Sequence, residues 1–153
     1  MCLLHYSFKE DRIKGGVMSK RGHGGMRQGA IVIPSGTELW PHELETAKAL
    51  AAAGMTVEFQ RRTEGERISS ADVVIRGVLW EMKAPISSSS DSLSRRMRLA
   101  TKQSPNIIID ASRAERTTDQ AFEKELRKAL SRVSGVKRLM LVKKSREVID
   151  IKP

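Results

Sequence analysis

The sequence predicts an α/β fold in which a mixed sheet is flanked by helices, and three features of the chain carry that expectation. Helix-like and strand-like segments follow one another in the order helix, three strands, helix, strand, helix, two strands. Two strand-like runs are separated by only two residues, Arg76 and Gly77, as in a tight hairpin. Asn106 to Asp110 is almost wholly apolar, as a central strand covered on both faces should be. A helix between the third strand and this one makes a crossover to a parallel neighbour.

Each element has its own local reason. Pro41 opens a helical run that Gly54 ends, since proline suits the first helical position and glycine the residue past the end. On a 100° wheel Leu44, Ala47, Leu50 and Ala51 form its apolar face. Glu43 falls toward the centre of that face, and Glu45 points nearly the opposite way. Met55, Val57 and Phe59 alternate with polar residues as in a half-buried strand. Residues 72–75 and 78–83 form the hairpin. Ser87 to Ser92 is a serine-rich loop that ends in a cap, after which Leu93, Met97 and Ala100 mark a second helix that stops by Pro105. Thr117 to Gln120 has a capping-box pattern and opens a third helix striped by Phe122, Leu126 and Leu130, with Gly135 closing it. Leu139–Val142 and Val148–Ile151 read as a terminal hairpin.

A chain of 153 residues suits one domain with one core. Gly15, Gly16, Gly22, Gly24, Gly25 and Gly29 are interleaved with Lys20, Arg21 and Arg27 and no acidic residue. Residues 1–30 therefore read as a flexible basic arm, and residues 31–153 as the single domain. Cys2 is the only cysteine, so no internal disulfide forms. The apolar run at the N-terminus is too short for a signal peptide or a membrane span, which predicts a cytoplasmic protein. The net charge of +10 favours a polyanionic partner such as nucleic acid or an anionic membrane surface. From Asp91 to Arg146 fifteen Lys or Arg face six Asp or Glu, so the C-terminal half holds most of the excess.

The hairpin concentrates the chemistry. With a two-residue turn Ile75 opposes Val78, and counting outward sets Asp72 opposite Glu81. Side chains alternate along a strand, so Lys83 emerges on the face of Glu81. Two facing carboxylates repel, and a hard divalent cation such as Mg²⁺ or Mn²⁺ resolves the conflict. Lys83 is then set to hold or deprotonate an attacking water and to neutralise charge growing on a phosphate. Glu43, the core-facing acid of the first helix, can complete the shell.

Asp72, then Glu81-Met82-Lys83, with Glu43 on a preceding helix, resembles the PD-(D/E)XK (restriction-endonuclease-like) nuclease superfamily. Ala71 stands where the family name has proline. The resemblance implies that Asp72 and Glu81 bind metal, that the Met82 carbonyl assists, that Lys83 acts near the water, and that Glu43 is the helical acid. A closer resemblance covers His42 to Asp110: the helix Glu43 to Leu50, Trp80-Glu-Met-Lys-Ala-Pro85, the serine loop, Lys102-Gln103-Ser104 and Asn106 to Asp110. It is similar to the C-terminal tRNase domain of contact-dependent growth inhibition toxins, which implies a tRNA substrate, delivery by a carrier and a cognate immunity protein.

Beyond the hairpin, Arg96 and Gln103 nearly coincide on the wheel of the second helix and border its apolar side, where they can line a cleft and meet phosphate. Arg95, Arg98 and Lys102 cluster on the outer face, as a solvated face or a ridge that tracks a nucleic-acid backbone. His5, His23 and His42 lack metal-ligand spacing. Trp40 and Trp80 read as core or cleft-wall residues ahead of base-stacking platforms. The expectation is thus an endonuclease for tRNA or other structured RNA. The same residues also read as a DNA endonuclease of restriction or repair type, or as a catalytically silent nucleic-acid-binding module.

Overall fold

A computed structural model describes residues 4–6, 27–61 and 71–153. Among the described residues eight strands form one sheet whose spatial order follows the sequence, β1 to β8. These are β1 Leu4–Tyr6, β2 Ile31–Ile33, β3 Val57–Phe59, β4 Val73–Ile75, β5 Val78–Lys83, β6 Asn106–Asp110, β7 Arg138–Val142 and β8 Val148–Lys152. The helices are α1 Pro41–Ala52, α2 Ser90–Ala100 and α3 Asp119–Leu130. The β2/β3, β5/β6 and β6/β7 pairs are parallel, each joined through a helix; β1/β2, β3/β4, β4/β5 and β7/β8 are antiparallel. The expected mixed α/β sheet is present, with the crossover from β5 through α2 to β6.

Strand alternation divides the core in two. Ala47 and Leu50 of α1 pack with Val57, Phe59, Val73, Trp80, Met82, Ile108 and Met140. Leu93 and Met97 of α2 and Phe122 and Leu126 of α3 pack with Ile107, Ile109, Leu139 and Leu141 on the opposite face. Because α1 touches β2 and β3 and also β7, the sheet curls around it. Among the described residues no helix is long and apolar enough to cross a membrane.

Several elements depart from expectation. β1 and β2 were not read from the sequence; each is three residues long, too short for a clear period. Most of the glycine-rich stretch from Gly15 lies outside the described residues. Its last glycine, Gly29, is tightly packed: a Cβ there would come within 1.9 Å of the Met55 carbonyl oxygen. The second helix begins inside the serine loop, with Ser89 accepting the Ser92 N–H. The third helix is capped by Thr118, one residue later than expected. Its hydroxyl accepts the Ala121 N–H at 3.2 Å, and alanine at that position leaves no reciprocal bond, so there is no capping box. The same helix ends at Leu130, and Gly135 belongs to the turn beyond it. Trp80 is buried, as a core residue should be, but Trp40 is 60% exposed at the start of α1.

A buried clasp ties distant elements together. Asp110, at the end of β6, accepts hydrogen bonds from Thr46 of α1 at 2.6 Å and from Arg146 of the β7–β8 turn at 3.0 Å. Arg146 also donates to the Glu45 carbonyl at 2.7 Å. Burial raises the Asp110 pKa, but the bonds from Arg146, Thr46 and Ser112 outweigh it and leave the carboxyl below its ordinary value.

Candidate active site

The turn between β4 and β5 sets the register of the site. Arg76 and Gly77 both take positive φ, 52° and 75°, which is the two-residue primed turn whose twist matches that of its strands. Ile75 pairs with Val78, Val74 with Leu79 and Val73 with Trp80. Continuing that register sets Asp72, just before β4, across from Glu81. The Asp72 carboxylate also accepts the Met82 N–H at 2.9 Å, which holds it against β5.

Glu81 is 1% exposed and ion-paired with Lys83, two residues along the same face. Gln103, with its amide nitrogen turned to the carboxylate, donates to Oε2 and Oε1 of Glu81 at 2.5 and 2.7 Å. Burial is the main force on Glu81. It pushes the acid up from 4.5 to about 7; the Lys83 hydrogen bond opposes this and the Asp72 charge adds to it. The site therefore holds two adjacent carboxylates, one ammonium and one amide, with its most buried acid balanced near neutrality.

Gln103 is aimed by its neighbours. α2 ends at Ala100, and the following turn is pinned to β5: the Ser104 hydroxyl donates to the Leu79 carbonyl at 2.8 Å, and the Asn106 amide to the same oxygen at 3.1 Å. Arg96 does not share this position. It is exposed on α2, because a wheel drawn through both residues fails once the helix stops between them. Lys102 is also exposed, next to Gln103 in sequence.

Glu43 is buried in the first turn of α1, and its carboxylate accepts the Trp40 N–H at 3.0 Å. That helix packs on the face opposite the side chains of Asp72, Glu81 and Lys83. Among the described residues no three His, Cys, Asp or Glu side chains are grouped to hold a metal ion. The Asp110–Arg146 pair has no counterpart among the sequence expectations. The one available signal was an acid ending an otherwise apolar strand, and no local pattern names its partner.

The family model described as the contact-dependent growth inhibition CdiA C-terminal domain matches residues 69–148, a span that contains Asp72, Glu81, Lys83 and Gln103. Among solved structures, the chain is similar in fold to one from the CdiA-CT/CdiI toxin and immunity complex of Burkholderia pseudomallei. The likeness covers 76% of this chain and 95% of that one, with a TM-score of 0.59 and 18% identity. No curated protein matches the sequence.

Proposed function

The chain belongs to the contact-dependent growth inhibition CdiA C-terminal domain family, and from that premise we propose that it is a toxin-like, metal-dependent endonuclease that hydrolyses tRNA or other structured RNA. The carrying observation is the apposition of Asp72 and Glu81 across the hairpin, with Lys83 beside Glu81. The donor set fits a hard divalent cation. Both carboxylates offer oxygen, and burial first, with the Asp72 charge adding to it, raises the Glu81 pKa, a cost that a bound cation would offset. Within a strand the N–H and C=O of one residue leave on the same side, so the Met82 carbonyl lies on the side where its N–H meets Asp72.

Asp72, Glu81 and the Met82 carbonyl would thus hold Mg²⁺ or Mn²⁺. Bound there, the ion supplies Lewis-acid polarisation of the phosphodiester and a lowered pKa for water. Lys83 orients the attacking water and offsets negative charge on the phosphate, and Gln103 keeps Glu81 aligned. Glu43 steadies the start of α1, at the edge of the sheet where β5 ends in Lys83. The +10 net charge supports a nucleic-acid substrate. The toxin and immunity title of the similar structure supports a cognate immunity protein as a second partner, and family membership supports action in the cytoplasm of a target cell.

Incubation with total tRNA and with plasmid DNA, each with Mg²⁺ and with EDTA, tests the reading. Cleavage of tRNA that EDTA stops is the expected result. Cleavage of DNA alone would replace it with a DNA endonuclease, and binding without cleavage with a silent nucleic-acid-binding module.

A further inference from the structure

α2 and α3 lie side by side over the face of the sheet that carries Glu81 and Lys83. Between them opens a cavity of about 290 Å³ lined by Asp91, Ser94, Arg95, Arg98 and Arg132. Every lining residue is polar or charged, and three arginines face one aspartate, so the cavity favours an anion over an apolar ligand.

Two of the guanidinium groups are held in place. Arg132 donates to the Asp91 carboxylate at 2.7 Å, and Arg98 donates to the Arg132 backbone carbonyl at 3.2 Å. Ser94 is buried where the helices meet, its hydroxyl donating to the Ser90 carbonyl of α2 at 2.7 Å and to the Ala129 carbonyl of α3 at 3.4 Å. Among the described residues Arg95 has no ion-pair partner, so its charge is uncompensated at the rim. Guanidinium forks match the tetrahedral oxygens of a phosphate. Further along the same segment, Lys102 is exposed, and Gln103 reaches Glu81. The segment that lines the cavity thus runs on to the residue that touches the hairpin carboxylate.

We propose that this cavity is a second phosphate-binding site, which holds a backbone phosphate of the RNA substrate away from the bond to be cut. The proposal rests on the RNA-hydrolysis reading above. It differs from a merely solvated basic face because it adds Arg132 of the segment after α3 and assigns the contact to one open cavity between the two helices.

The test measures binding of labelled tRNA over a KCl series, all in the Glu81→Gln background so that the RNA stays intact. Arg98→Gln with Arg132→Gln removes two charges from the cavity; Lys137→Gln with Arg138→Gln removes two exposed charges elsewhere and serves as the matched control. The cavity pair should weaken binding about tenfold and lower the slope of log K against log[KCl] by about 1, the value for one lost phosphate contact. The control pair should leave the slope within half that change. In the cleaving protein the cavity pair should raise KM for tRNA and leave the cutting of a dinucleotide unaltered. Equal slopes for the cavity and control pairs, while the parent still cuts tRNA, overturn this proposal alone. A parent that neither binds nor cuts tRNA overturns the RNA reading and this proposal with it.

Discussion

Glu81 illustrates how one buried acid sets the character of the site. Burial and the neighbouring Asp72 favour its protonated form, so its pKa in the fold, about 7, exceeds the ordinary 4.5. The folded state therefore binds this proton more tightly than the unfolded chain does. That contribution to stability is complete below pH 4.5 and is lost as pH rises through about 7. Without divalent ions, the parent should lose stability from pH 5 to pH 8 by up to about 3 kcal/mol more than Glu81→Gln, which does not titrate. Urea denaturation of both proteins at the two pH values measures the difference; parallel losses would remove the case for a strained acid. At pH 8, Mn²⁺ should raise the midpoint of the parent and leave that of Glu81→Gln unmoved. The residues of this site were legible in the sequence because alternation has a period of two and the turn length sets the register. The wheel of α2 predicts that a helix face brings Gln103 to the cleft, but a turn delivers it, because the helix ends at Ala100.

At the scale of elements, the β4–β5 hairpin depends on a turn that its sequence only partly favours. Arg76 holds a left-handed conformation, φ 52°, that costs most side chains about 1–2 kcal/mol and that asparagine tolerates. Arg76→Asn should therefore stabilise the protein by roughly 1 kcal/mol, read as a higher midpoint in thermal unfolding, with tRNA cleavage unchanged. A lower midpoint would mean that the arginine side chain contributes more than its backbone strain removes. Helix starts were legible to within a few residues, because serine and threonine caps occur in runs and only the folded backbone selects Ser89 and Thr118 among them. The three-residue strands β1 and β2 were not legible; what makes them strands is pairing with partners far along the chain.

For the whole molecule, the proposed activity makes a cellular prediction. Expression in the bacterial cytoplasm should arrest growth and shorten one class of tRNA, since a discrete cut requires the basic surface to position a folded substrate. Lys83→Ala should abolish the arrest, because the water loses its orienting group and the phosphate a cation. Northern blots of tRNA alongside chromosomal DNA on gels decide the matter. Arrest with DNA breaks and full-length tRNA would refute the RNA reading.

Local patterns in the chain specify the α/β class, the three described helices, the hairpin register and the side of the hairpin on which Asp72, Glu81 and Lys83 emerge. All of these follow from local rules: side-chain period, turn length and capping chemistry. Only the folded chain shows that the sheet curls around α1, that α1 packs on the Trp80 and Met82 face of the hairpin, and that Asp110 is clasped by Thr46 and Arg146. It also brought Arg132 beside Arg95 and Arg98. Such contacts join residues separated by tens of positions, and no local pattern encodes them. They exist because burying both faces of one sheet leaves its helices few places to pack.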